Sequence, residues 1–152
     1  EAVGLQNITV LEALKDKDAN GLGRIGDLPK ALTLRSLALR VKSRLGLQAL
    51  KICGNPELSV ARVALCGGSA GGLLNDFFAS DAQAFIGGDF RYHDARTVQA
   101  HQRALLDIGH FASEFPVVEN LCSRLRRILR AKGYCAAVEV CELEKDPFVF
   151  IS

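Results

Sequence analysis

The chain has 152 residues and a mass of 16.4 kDa, a size typical of one domain with a buried core. Hydrophobic residues make up 49% of the sequence and charged residues 24%, which excludes disordered and fibrous proteins. The formal net charge of +2 is too small to indicate a surface that follows a phosphate backbone, so nucleic acid is not an expected partner.

The first 32 residues show little periodicity in their apolar positions, and we interpret them as a linking segment. An α/β core follows at residues 33–152, and we expect the whole chain to form a single domain. Gly21, Gly23 and Gly26 have the spacing of a dinucleotide-binding turn. We reject that turn because a charged stretch stands where a strand is needed and no helix opens after it.

Strands and helices alternate along the core. The patterns predict helices at residues 34–45, 73–79, 94–104 and 113–132, and strands at residues 49–53, 60–66, 84–87, 105–108, 136–143 and 148–151. Such alternation is typical of an α/β fold around a mostly parallel sheet.

Three segments directly follow predicted strands, where ligands bind in sheets of this kind. If the strands are parallel, the three segments share one rim. That rim would hold two of the three histidines together with carboxylates, a mixture that suits zinc, manganese or iron better than calcium. The polar side chains concerned are Ser69, Asp89, His93, Asp107, His110 and Glu114.

His110 and Glu114 are four residues apart, so one helical turn would direct both side chains toward one ion. The same spacing is also expected of a histidine that is hydrogen-bonded in a turn and a glutamate that complements a helix N-terminus. Two ligands do not complete a metal site. The glycine-rich residues 67–72 allow a third interpretation of the site, in which backbone N–H groups bind a phosphate and no metal is involved. These glycines are equally expected in a tight turn with close packing.

The five cysteines are odd in number and none forms a C-x-x-C pair, so we expect reduced thiols in a cytoplasmic protein. No apolar stretch is long enough to cross a bilayer, and no leader peptide is evident. A membrane is therefore not an expected partner.

Four segments resemble, in the same order, the GTP cyclohydrolase 1 type 2 homologues, also called Nif-three-like or dinuclear metal-centre proteins. Their sequences are GLGRIGDLP at residues 21–29, CGGSAG at residues 66–71, GDFRYHDA at residues 88–95 and DIGHFASE at residues 107–114. The resemblance covers nearly the whole chain.

The resemblance implies a fold of two similar lobes with a pair of divalent metal ions between them, and commonly a hexameric ring. His110 and Glu114 match metal ligands of the C-terminal lobe, with zinc favoured and manganese or iron as alternatives. Ser69, Asp89 and His93 match positions near the site, where we expect them, with Asp107, to contact the substrate or support the ligands. The N-terminal motifs cannot be mapped, so we expect this chain to be the C-terminal lobe.

Two bound metals would favour hydrolysis of an oxygen-rich small molecule such as a nucleotide, with His93 as the best candidate base. The alternative is a non-catalytic protein in which the ions hold lobes together or the ring acts as a scaffold. The sequence does not choose between these functions.

Overall fold

The computed structural model describes residues 3–13, 21–149 and 151 of the chain. The strands form one six-stranded sheet in the order β1-β2-β4-β5-β6-β3. Its strands are β1 (Gln6–Ala13), β2 (Gly21–Thr33), β3 (Lys51–Cys53), β4 (Ser59–Ser69), β5 (Ala84–Gly88) and β6 (Ala104–Asp107). The helices are α1 (Leu34–Arg44), α2 (Leu74–Ala79), α3 (Tyr92–Ala100), α4 (His110–Glu114) and α5 (Pro116–Ala131), with a 3₁₀ turn at Gly71–Leu73.

The sheet is mixed, which corrects the prediction of a mostly parallel one. Only β4, β5 and β6 run parallel to one another. The other three pairings, β1 with β2, β2 with β4 and β3 with β6, are antiparallel. The first 32 residues are therefore not simply a linker, because they contribute two strands.

The strand β2 was not predicted from the sequence because its glycines are typical of a loop. A Cβ on Gly26 would lie 2.8 Å from the carbonyl oxygen of Gln6, and Gly23 adopts a φ of +62°. The glycines that made this segment resemble a loop thus let β1 pass close to β2.

Helices cover both faces of the sheet. On one face α1 packs with Leu34, Leu37 and Val41 in a cluster that includes Val63 and Ile86. The opposite face packs against α2 and α3 in a second cluster, which includes Ile25, Phe77, Phe85, Val98 and Leu105. Burial on both faces accounts for the nearly continuous apolar runs of β4 and β5.

The predicted helix at residues 34–45 is confirmed as α1. The hydroxyl of Thr33 caps it by accepting a hydrogen bond from the backbone N–H of Ser36 at 3.1 Å. Gly46, which follows the helix, has a φ of +63°, the conformation that commonly ends helices.

Two predicted helices have different bounds. The helix expected at residues 94–104 starts earlier, at Tyr92, because the Asp94 carboxylate accepts the backbone N–H of Arg91 at 2.8 Å. It ends at Ala100, since Gln102 has a φ of +55° and β6 begins at Ala104. The helix expected at residues 113–132 is two helices, α4 and α5.

The strands predicted at residues 136–143 and 148–151 do not form in the residues that the structure describes, and residue 150 lies outside them. The position beside β6 is occupied by β3, which pairs with it antiparallel. Instead, the carbonyl of Val138 accepts a 2.7 Å hydrogen bond from Arg126 Nε. Within the described ranges, no helix is long and apolar enough to cross a membrane.

Candidate metal site

The turn after β6 presents His110 as the first residue of α4. Gly109 precedes it with a φ of +82°, a conformation that suits glycine. The buried Asp107 holds this turn, since its Oδ1 accepts the N–H of Gly109 at 3.1 Å and its Oδ2 lies 2.7 Å from Lys51 Nζ. Asp107 thus supports the backbone that positions the imidazole.

Asp89 fixes the orientation of that imidazole. It follows β5, the strand parallel to β6, and its Oδ2 lies 2.7 Å from His110 Nδ1. A carboxylate only accepts hydrogen bonds, so Nδ1 carries the proton and donates it. This bond raises the pKa of His110 above its ordinary value, and the charge of Glu114 adds to the effect, while burial opposes it.

Glu114 lies one turn along α4, with its Oε2 3.3 Å from His110 Nε2. With Nδ1 protonated, neutral His110 presents a lone pair at Nε2, so two acceptors face each other. A proton or a cation between them makes this arrangement favourable. Two ligands each about 2.1 Å from a tetrahedral ion lie about 3.4 Å apart, so the donor pair fits zinc.

The backbone of β4 lies directly against these two side chains. Gly68 has a φ of +69°, and a Cβ there would collide with Glu114 Oε1 and come 3.3 Å from His110 Nε2. Its N–H donates to Ser113 Oγ at 2.8 Å, and the Ser113 hydroxyl donates to the carbonyl of His110 at 2.7 Å. Gly68 therefore allows β4 to approach the pair.

Two N–H groups of the glycine-rich segment are already used by hydrogen bonds within the chain. β4 continues through Ser69, which pairs with Gly88, and the N–H groups of Gly68 and Ala70 already donate to Ser113 Oγ and to the carbonyl of Gly88. The geometry thus favours the alternative in which the glycines serve close packing.

A cavity of about 880 Å³ opens beside the pair. Of the predicted site residues, it brings together Asp89, Asp107, His110 and Glu114. Phe111 and Phe115, whose rings stack with centroids 5.1 Å apart, also line it. Its size is within the range of small-molecule sites.

Ser69 and His93 do not line this cavity. Ser69 is exposed at the end of β4. His93 is exposed on the first turn of α3, where its ring makes an edge contact with Tyr92 at 5.5 Å between centroids. The structure thus gathers four of the six predicted residues.

Sequence reasoning missed Lys51, Ser113 and the individual roles of Gly68 and Gly88. A Cβ on Gly88 would lie 2.8 Å from the backbone N of His110, so this glycine sets how closely the two strand ends approach. The glycines were visible in the sequence, but their contacts were not. Lys51 carries no local signal because β3 brings it to Asp107 from far along the chain.

The donor set fits a metal only in part. His110 Nε2 and the Glu114 carboxylate are suitable donors, and Asp89 binds the other imidazole nitrogen, as is common for metal-bound histidines. In the described part of the chain, no group of three His, Cys, Asp or Glu side chains is arranged to hold a metal ion.

Comparison with known proteins gives concordant matches. The family model for Duf34/NIF3 (NGG1p interacting factor 3) matches residues 1–147. The GTP cyclohydrolase 1 type 2 homologue of Mycobacterium tuberculosis is 41% identical over 133 residues, which are 85% of this chain and 34% of that protein. The homologue of Streptomyces coelicolor is 37% identical over 131 residues, covering 84% and 46% of the two chains. This chain therefore spans between a third and a half of the length of these relatives.

Solved structures share the fold. The Staphylococcus aureus hypothetical protein SA1388 aligns with a TM-score of 0.90 at 23% identity, covering 99% of this chain and 61% of that one. A Bacillus cereus protein related to NIF3 aligns with a TM-score of 0.81 at 27% identity, covering 86% and 36%.

Proposed function

This chain belongs to the Duf34/NIF3 family, and we propose that His110 and Glu114 are its ligands to a divalent metal ion. Zinc is the favoured ion, with manganese or iron as alternatives. Because two donors do not complete a site, the remaining ligands come from outside the described residues, in keeping with a dinuclear centre between two lobes.

One observation carries this proposal. Asp89 Oδ2 lies 2.7 Å from Nδ1 and Glu114 Oε2 lies 3.3 Å from Nε2, so a carboxylate stands at each ring nitrogen of His110. A structural histidine in a turn needs no carboxylate on each ring nitrogen. A metal-binding histidine commonly donates its second ring N–H to such a carboxylate, which fixes the orientation of the ring.

The activity we propose is metal-dependent hydrolysis of a nucleotide-like substrate. The bound metal would supply a water of lowered pKa. This chain contributes the walls of the cavity, where the stacked pair Phe111 and Phe115 offers an apolar surface to a planar group. The name of the curated relatives, GTP cyclohydrolase 1 type 2 homologue, supports a nucleotide as the substrate class.

A non-catalytic metal-binding scaffold is the second candidate. The observation that favours it is the position of His93, the expected base, which does not line the cavity. Metal-loaded protein incubated with GTP, with products separated by chromatography, distinguishes the two. Turnover that is lost on chelation supports the hydrolase, and metal-replete protein without turnover supports the scaffold.

Metal binding itself is tested by isothermal calorimetry, in which Zn²⁺ is titrated into a protein that joins this chain to a lobe supplying the remaining ligands, and into three variants of that protein. We expect His110→Ala and Glu114→Gln to lose the binding seen in the unaltered protein. His101→Ala is the matched control, because that imidazole stacks on Phe78 at 4.4 Å between centroids and does not line the cavity. Unchanged Zn²⁺ binding in His110→Ala would refute the proposal.

A further inference from the structure

Lys51 is a charged side chain of the cavity wall that the proposed metal site does not use. Among the described residues that line the cavity, it is the only lysine or arginine. Its side chain is 79% exposed, yet its Nζ lies 2.7 Å from Oδ2 of Asp107, whose side chain is only 9% exposed. The exposed ammonium thus neutralises a buried carboxylate, which would be costly to bury without such a partner.

The backbone fixes the position of Lys51. All three residues of β3 pair with β6, in a register that sets Lys51 directly opposite Asp107. At the other end of this short strand, the thiol of Cys53 donates to the carbonyl of Ala95 at 3.2 Å. The ammonium is therefore presented by a strand that is held along its length.

Asp107 connects this ammonium to the turn that carries the imidazole. Its two oxygens have different partners, because Oδ2 faces Lys51 while Oδ1 accepts the N–H of Gly109 at 3.1 Å. Gly109 has a φ of +82° and directly precedes His110. These two contacts hold the carboxylate against rotation, so the turn before His110 keeps one geometry.

We propose that Lys51 is a positioning residue for the metal site, which acts through Asp107 to hold His110 in the tautomer that leaves Nε2 free for a metal. This inference rests on the proposed metal-binding role of His110. Without the ammonium, the buried carboxylate would turn toward water or take up a proton, and its bond to Gly109 would weaken. The imidazole would then no longer be held against Asp89, whose Oδ2 lies 2.7 Å from Nδ1. Neutral imidazole carries one proton, so loss of this bond would let the proton reside on either nitrogen.

The first test needs no metal. The ¹⁵N chemical shifts of the His110 ring report which nitrogen carries the proton, and they are measured in the chain at a pH above the pKa of the imidazole. We expect the proton on Nδ1 in the unaltered chain and a mixture of both tautomers in Lys51→Met. Lys51→Arg restores a cation and should restore the Nδ1 form. Lys30→Met is the matched control, because Lys30 is exposed on β2 and does not line the cavity.

The second test is the affinity for Zn²⁺, measured by calorimetry in the protein that joins this chain to a lobe supplying the remaining ligands. Lys51→Met should raise the dissociation constant about tenfold. In the Asp107→Asn background, Lys51→Met should add less than about twofold, because the residue through which the ammonium acts is already altered. Since Lys51 is largely exposed, we expect the variants to fold, and circular dichroism checks that they do.

A lysine that only stabilises the fold would give a different pattern. Lys51→Met would then lower the free energy of unfolding in urea but change neither the tautomer nor the affinity for Zn²⁺, and this result would overturn the inference. Equal losses of affinity with and without Asp107→Asn would overturn it as well. An unchanged tautomer leaves the proposed metal role of His110 in place, because that role is decided separately by Zn²⁺ binding in His110→Ala.

Discussion

At the residue scale, His110 links the end of one strand to two carboxylates. Asp89 follows β5, Glu114 lies on α4, and His110 begins that helix at the end of β6. Each of the three is exposed to a similar degree, with side-chain exposures of 50%, 54% and 50% for Asp89, Glu114 and His110. The group is thus accessible to a ligand and yet held by short contacts.

Asp89→Asn tests the orienting role of the carboxylate. The amide oxygen can still accept the Nδ1 proton, but the negative charge is lost, so we expect Zn²⁺ affinity to fall about 10- to 100-fold. The pKa of His110 should fall as well, because the Asp89 hydrogen bond is the largest cause of its elevation. Calorimetry measures the affinity, and NMR titration of the imidazole measures the pKa. Asp76→Asn, in the first turn of α2, should change neither quantity.

Gly88→Ala tests the close approach of the strand ends. The added methyl group would lie 2.8 Å from the backbone N of His110 and from the carbonyl carbon of Gly109, which are backbone atoms and cannot rotate away. We expect a loss of about 1–3 kcal/mol in the free energy of unfolding, measured with urea. Gly72→Ala meets nothing within 4 Å and should cost little; an equal loss in both variants would contradict the packing explanation.

At the scale of elements, helices with a capping residue and an apolar face were predicted well. In α1, the Thr33 cap, the face of Leu34, Leu37 and Val41, and the closing Gly46 are all local signals. By contrast, the strand-like pattern at residues 136–143 did not produce a strand, because a strand also needs a partner edge, and the carbonyl of Val138 is bonded to Arg126 of α5 instead.

Leu37→Ala measures what α1 contributes to the core. Leu37 is fully buried against the sheet, so its truncation should destabilise the chain by about 2–5 kcal/mol in urea unfolding. Leu39→Ala, two residues along the same helix and 61% exposed, should change stability by less than about 0.5 kcal/mol. Equal effects would mean that α1 does not pack as described.

At the scale of the whole molecule, one polar contact joins three strands. Asn7 Nδ2 on β1 donates to Asp27 on β2 at 3.0 Å, and Arg62 on β4 donates to the other oxygen of that carboxylate at 2.6 Å. The Asn7 bond, followed by the Arg62 bond, lowers the pKa of Asp27 from its ordinary value of 3.8. The two strands missed from the sequence are tied to the sheet at this point.

A lowered pKa makes the stability of the fold depend on pH. The contribution of Asp27 is fully present above the ordinary pKa and is lost as the pH falls through the lower, folded-state value. In urea unfolding, Asp27→Asn should therefore be less stable than the unaltered chain at pH 7, and the difference should shrink as the pH falls below about 4. Glu57→Gln, which removes an exposed pair with Arg35 at 3.6 Å, should show a much smaller difference at pH 7.

The features that could be read from the order of residues are those that depend on neighbours in the chain. They include the alternation of elements from α1 to β6, the one-turn spacing of His110 and Glu114, and the family motifs. Folding decided what depends on distant residues. The pairing of β1 with β2, the bond from Asp89 to His110, the contact of Gly68 with Glu114 and the exclusion of His93 from the cavity all join separate segments. A glycine in the sequence is compatible both with a turn and with the close approach of a neighbouring strand. Only the packed structure shows which of these two roles each glycine has.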